Sequence, residues 1–233
     1  MVIPRNFSLV INNFMDQVLP AFIRDSKTSM SIPLKFLFGE KAGIFLSFKE
    51  RAFQMSDREF AHVYEEISDC LLQGETDLNK KCVDKIIASI AGSTVLEAGC
   101  GRGFLANKLS SDYSVTACDI VIGKDLPKKF RKVEFVEANI QDLPFKTGEF
   151  DTVVCTHTLE HVRDIQKALQ ELRRVSGKRL IIVVPKQRPY RYTFNLHLHF
   201  FPYRWSLFAI LGYRKNSRLE DLGDWFYYED LNA

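Results

Sequence analysis

A chain of 233 residues with 46% apolar and 26% charged side chains is an ordinary globular sequence, long enough for one large domain or one domain with appendages. Its five cysteines (Cys70, Cys82, Cys100, Cys118, Cys155) are scattered with no C-x-x-C pair, which suits a reducing cytosol better than a disulfide framework. The net charge of +3 hides an asymmetry: residues 178–219 hold nine Lys/Arg and no acid, leaving 23 basic against 29 acidic residues elsewhere.

Residues 1–24 interleave Arg5, Asn12, Asn13 and Asp16 with apolar side chains, so no secretory leader is expected. No apolar run approaches the ~20 residues that span a bilayer, and a cytoplasmic protein is expected. Phe7, Val10, Ile11, Phe14, Val18, Leu19 and Phe22 recur at helical spacing, which predicts an amphipathic helix over 7–24, kinked or ended by Pro20. The apolar-aromatic runs 33–38 and 44–48 fit strand or helix equally. The segment 1–60 is either a cap packed on a core, or a substrate lid or a surface touching a lipid-linked substrate. Asp57 is placed to cap a helix with Phe60, Val63, Tyr64, Ile67 and Leu71 on its apolar face, stopped by Gly74.

Val83, Ile86, Ile87 and Ile90 form a further helical stripe ended by Gly92. Beyond it strands are predicted at 94–98, 114–119, 133–137, 150–156 and 179–184, with helices near 103–111 and 162–175. Such alternation gives a parallel sheet with helices on both faces. Leu180-Ile181-Ile182-Val183-Val184 is continuously apolar, as in a strand covered on both sides. Residues 213–229 would supply a last antiparallel strand pair. The expected division is a helical N-terminal segment, 1–75, and a nucleotide-binding core, 76–233, with a substrate-side insertion near 186–212.

The organising stretch is Val95-Leu96-Glu97-Ala98-Gly99-Cys100-Gly101-Arg102-Gly103-Phe104, a strand, a glycine loop and a helix start. Closely spaced glycines let backbone turn sharply and approach a ligand without Cβ interference. A dinucleotide fingerprint needs a small residue at 104, where phenylalanine stands. An acidic residue, Asp119, closes the next strand about twenty positions on, placed to accept both ribose hydroxyls. This order resembles motif I and its companions in the class I S-adenosylmethionine-dependent methyltransferases, small-molecule (methyltransferase type 11-like) branch. The likeness covers about 80–200.

The resemblance implies an α/β, Rossmann-like, doubly wound, mostly parallel seven-stranded sheet with an antiparallel last strand. It implies S-adenosylmethionine as cofactor, with Glu97 anchoring the amino-acid end, Gly99, Cys100, Gly101 and Gly103 forming the loop, and Ile120 against the adenine face. Asn139 would meet the adenine amino edge and the Ile140 N–H a ring nitrogen; the family usually has aspartate at 139, and asparagine can still accept through its amide oxygen. Tyr64 matches a pre-core helix aromatic that closes over the cofactor, with plain core packing as the alternative.

Strand four runs into Thr156-His157-Thr158-Leu159-Glu160-His161. His157-x-x-Glu160-His161 fits a zinc-peptidase pattern, but that chemistry needs both histidines on one helix face and a third ligand. By resemblance Leu159-Glu160-His161 opens a helix and Thr156-His157 lines the methionine end; no metal is expected. A general base is needed only for a hydroxyl or protonated amine acceptor, with His157 and His161 as core candidates and His197 and His199 as substrate-side ones. Basic residues among aromatics over 186–205, Arg188 and Arg191 included, suit an anionic small or lipid-linked acceptor, or else form a helical hairpin with solvated charges. The alternatives are an RNA methyltransferase and a catalytically silent cofactor-binding partner subunit. The oligomeric state is left open.

Overall fold

The computed structural model describes residues 14, 18–67 and 76–231. The chain divides into two compact units, one of residues 1–77 with 187–200, the other of 78–186 with 201–233. Among the described residues no helix is long and apolar enough to cross a membrane.

In the first unit the described helices are α1 (Ala21–Arg24), α2 (Lys27–Phe38), α3 (Ala42–Arg51) and α4 (Asp57–Ile67). The expected helix over 7–24 lies largely outside the described residues, and Pro20 stands at the N-cap of α1. Both ambiguous apolar runs are helical. The spacing Met30, Leu34, Phe38 buries one face of α2, and Phe45 and Phe48 bury one face of α3, with Phe38 and Phe45 stacked at 4.0 Å. Ser56, not Asp57, caps α4: its N–H and hydroxyl donate to the Glu59 carboxylate while its Oγ accepts from the Glu59 N–H, a capping box. Gly74 and Leu71 lie outside the described residues.

Residues 187–200 contain no helix, so the helical-hairpin reading of this stretch fails. It is an irregular strap whose aromatic side chains Tyr190, Tyr192 and Phe194 are buried. Charge fixes it to the helices: Arg191 pairs with Glu50, its N–H donates to Asp25, and Lys49 donates to the Tyr190 carbonyl. Burial pulls Lys49 down to about 8, Asp25 opposing.

The second unit carries α5 (Lys80–Ser89), β1 (Thr94–Ala98), α6 (Phe104–Leu109), β2 (Ser114–Asp119), α7 (Leu126–Lys129) and β3 (Val133–Glu137). It continues with β4 (Phe150–Thr156), α8 (Ile165–Val175), β5 (Ser176–Val184), α9 (Arg204–Leu211), β6 (Ser217–Asp221) and β7 (Trp225–Asp230). They build a seven-stranded sheet in the order β3-β2-β1-β4-β5-β7-β6, parallel except that β7 runs antiparallel to both neighbours. Period-two alternation decides the two cores. Leu96, Val153, Leu180 and Ile182 face Leu169 and Leu172 of α8, while Val95, Val154, Ile181 and Val183 face Ile86 of α5 and Leu105 of α6.

Registers Ala98↔Cys118, Ala98↔Cys155, Asp119↔Glu137 and Thr156↔Val183 bring the strand ends to one edge. Strand order reverses between β1 and β4, and a crevice beyond the carboxyl ends at such a switch point is where open α/β sheets take ligands.

Candidate cofactor site

The loop after β1 is held by the neighbouring strand. The Gly99 and Cys100 N–H groups both donate to the Cys118 carbonyl, at 2.8 and 3.0 Å. Gly99, Gly101 and Gly103 sit at φ +81°, +50° and +71°, left-handed values that favour glycine. At Gly99 space also decides: a Cβ there would lie 2.1 Å from Thr158 Oγ1. At Gly101 a Cβ would meet nothing within 4 Å, so the loop crest is open.

Glu97 is the third group of the loop. Its side chain is buried, and Oε2 has no hydrogen-bond partner among the described residues. Burial raises its carboxyl to about 8, opposed by the Ala106 N–H and reinforced by the Asp119 charge. Asp119 is half-buried; its Oδ2 accepts from the Gly101 N–H and its Oδ1 from the Ile120 N–H, each at 2.8 Å. Its carboxyl is raised by burial against those two N–H groups and that of Val121. Cys100 is inert: burial pushes its thiol far up, and it holds Cys118 at about 12.

Beyond β3 the Asn139 side chain has partners within the chain. Asn139 Oδ1 accepts the Gln141 N–H at 3.0 Å and the Gln141 Nε2 at 3.3 Å. That oxygen is the one expected to meet the adenine amino edge, and the Asn139 Nδ2 group beside it is a donor. Ile140 packs its side chain into the core. Ile120 is half-buried beside Asp119, and Thr156 is buried at the end of β4.

Residues 157–161 form a turn, not the expected helix opening: the His161 N–H donates to the Thr158 carbonyl, and α8 begins at Ile165 with Asp164 capping Lys167. His157 is the one described non-glycine residue at positive φ, +48°. Its ring lies between two carboxylates, Nδ1 3.6 Å from Glu160 and Nε2 3.5 Å from Asp224. Asp224 also accepts from Asn79 Nδ2 at 2.8 Å, and Asn79 caps α5.

Thus Glu97, the three glycines, Cys100, Asp119, Ile120, Asn139, Ile140, Thr156, His157 and His161 all fall at one edge of one sheet. Tyr64, Arg188, Arg191, His197 and His199 fall in the other unit. There Tyr64 packs on Phe60 and Phe48, Arg188 is exposed, Arg191 is engaged by Glu50, His197 is buried with Nδ1 2.7 Å from Gln187 Oε1, and His199 is half-buried.

Sequence reasoning missed Thr158, whose hydroxyl donates to the Thr156 carbonyl at 2.9 Å while filling the space over Gly99. It missed Asp224 too, which lies far along the chain. The signal for Asn79 was present, since an asparagine before an apolar stripe is a cap.

Parts of this chain are similar to known proteins. A methyltransferase-domain family model matches residues 96–182. An uncharacterized protein of Methanocaldococcus jannaschii is 43% identical over 96 residues, 40% of this chain and 41% of its own. The 2-phytyl-1,4-naphtoquinone methyltransferase of Trichormus variabilis is 33% identical over 129 residues, 49% of this chain and 56% of its own. The chain spans about half the length of the curated relatives it matches. The solved structure of a Burkholderia thailandensis 1,6-didemethyltoxoflavin-N1-methyltransferase, with S-adenosylhomocysteine bound, superposes with TM-score 0.56 at 17% identity, covering 78% of this chain and 89% of that one, and shares the fold.

Proposed function

We propose that this protein is a class I methyltransferase that transfers a methyl group from S-adenosylmethionine to a small molecule, a reading supported by the methyltransferase-domain match over residues 96–182. The Glu97 carboxylate carries the reading: it is buried, one oxygen meets no donor, and it leads directly into three left-handed glycines. A buried carboxylate without a donor is unfavourable by itself. The ammonium of the cofactor's amino-acid end is a cation that would offset that cost.

Around it, Asp119 holds the ribose hydroxyls and the backbone of Gly99 to Gly103 lies along the amino-acid end. Cys100 contributes only its main chain. Ile120, Asn139 and Ile140 surround the adenine, and Thr156 closes the methionine side. The cofactor supplies an already activated methyl group for in-line displacement, so the chain's task is positioning and exclusion of water. His161 is the base for a hydroxyl acceptor. His157, bracketed by Glu160 and Asp224, orients the turn that carries it.

For the acceptor we favour a quinone-type molecule with an apolar tail, on the strength of the phytyl-naphthoquinone enzyme's likeness over half of this chain. An anionic acceptor has less support, since Glu50 engages Arg191. Arg188, His199 and the His197–Gln187 pair remain the substrate-side groups. Among the described residues four buried free cysteines suit the cytoplasm. Calorimetric titration with S-adenosylmethionine should show binding, and methyl-labelled cofactor should label a naphthoquinone or its reduced form. Absence of binding, or preference for a nicotinamide dinucleotide, would sink the proposal.

A further inference from the structure

The second unit carries an exposed surface that cofactor chemistry does not use. Tyr203 and Trp205, at the start of α9, are 49% and 68% exposed and stack on each other at 5.3 Å. Beyond the helix Tyr213 is 80% exposed, packed beside Phe208 at 6.2 Å. Large aromatics so open to water are unusual unless they meet a partner. Exposed cations border them: Arg204 over the Phe208 ring at one end, Arg214 and Lys215 at the other.

Residues 201–219 contain four Lys/Arg and no acid. The acids on adjoining strands are neutralised already, Glu229 by Arg173, Asp230 by Arg179 and Glu220 by Lys85. Among the described residues no carboxylate pairs with any of the three cations bordering the aromatics.

We propose that the face formed by α9 and the turn after it docks on an anionic lipid surface. Tryptophan and tyrosine belong at the boundary between headgroups and acyl chains, where the ring is apolar and its N–H or O–H is wet. Arginine and lysine beside them meet the phosphates of the headgroups. The water-facing side of α9 between the two cation groups carries Trp205 and Ala209, with Phe208 and Ile210 half-buried. A nucleic-acid groove would instead run its cations along a phosphate track.

Position within the unit gives the docking a consequence. The Trp225 N–H donates to the Phe201 carbonyl at 2.8 Å, and Trp225 pairs with Val184, the last residue of β5. The start of α9 therefore sits at the strand edge that carries the glycine loop. Docking there would present that edge to a lipid-borne molecule, although the docking itself does not depend on methyl transfer.

The test is co-sedimentation of the full chain with phosphatidylcholine vesicles, with and without phosphatidylglycerol, and no cofactor or acceptor present. The protein should pellet with the anionic vesicles and be released by salt. The Arg214→Ala/Lys215→Ala variant should weaken partitioning roughly 25-fold, about fivefold per cation. Trp205→Ala/Tyr213→Ala should weaken it on both vesicle types. The two pairs share no residue and all four are exposed, so one misfolded variant leaves the other informative.

Phe36→Ser, an exposed aromatic of the first unit, should partition normally. Failure of the wild type to pellet overturns the proposal, as does undiminished binding by both double variants, or loss only in Phe36→Ser. Salt-sensitive binding of single-stranded RNA through these residues without vesicle binding would overturn it in favour of nucleic acid.

Discussion

Replacing Glu97 with glutamine separates the site's function from its stability. Glutamine has nearly the shape of the protonated acid but cannot ionise. The folded carboxyl lies near 8 because burial penalises its charge, whereas an unfolded glutamate titrates near its ordinary value of 4.5. Over that interval the folded state binds more protons than the unfolded one. Wild-type stability therefore falls as pH rises from about 4.5 to about 8, a total on the order of 5 kcal/mol at 1.36 kcal/mol per pH unit.

Glu97→Gln should match the wild type near pH 5 and exceed it above pH 8 by up to that amount, a rise in Tm on the order of 10 °C. The same variant should bind S-adenosylmethionine at least tenfold more weakly, having lost the anion. Urea melts at several pH values and calorimetry read these two effects. A stability difference independent of pH refutes the buried-charge account. Unchanged affinity refutes the ammonium assignment.

Asp119→Ala should lower S-adenosylmethionine affinity roughly 10- to 100-fold with the fold retained, since it removes a charged acceptor; calorimetry with the 2′-deoxy analogue should show a smaller loss. Asn139→Asp should raise affinity two- to tenfold, because Asn139 Oδ1 is taken by Gln141 and the aspartate adds a second acceptor for the adenine amino group. Weaker binding would show that the Asn139 amide donates to the ligand. Gly99→Ala should destabilise by about 2–4 kcal/mol, from a Cβ driven into Thr158 and a left-handed φ; with Thr158→Gly added, only part should return in urea melts. His161→Ala should lower kcat for a hydroxyl acceptor without changing cofactor affinity. His157→Gln and Asp224→Asn should instead lower the melting temperature, and the reverse pattern would exchange the roles of the two histidines.

The strands at the centre of the sheet were legible because burial on both faces imposes one composition. β5 reads as an apolar run that no surface element could carry, and its pairing with β4 and β7 on either side is the physical reason. The helices α2 and α3 were not legible, because short, mostly apolar runs such as 33–38 and 44–48 fit either period. Pro33 made α2 harder to see, since it removes the donor to the Ser29 carbonyl inside the helix. Packing of Met30, Leu34 and Phe38 on one face overrides that loss. The cap at Ser56 was hidden by its neighbour Asp57, and only the reciprocal bond from Glu59 separates the two.

The candidate site divides along the same physical line. Glu97, the glycines and Asp119 lie within 23 residues, and their chemistry is local: a turn that needs positive φ and a strand end that needs an acid. Thr158 and Asp224 reach the site through the sheet, one from the end of β4 and the other from the β6–β7 turn. No spacing rule connects them to Gly99 or His157, because β4 and β7 come to this edge only through pairing with β1 and β5. The sheet thus gathers two kinds of residue at its carboxyl edge. Those proposed to hold the adenosyl group follow their own strands directly and announce themselves. Those that set the shape of the turn beside it arrive from distant parts of the chain. Selectivity for the methyl acceptor, on this reasoning, resides in the second kind, and exchange of the 157–161 turn or the 222–224 turn should change the acceptor preferred while cofactor affinity stays constant.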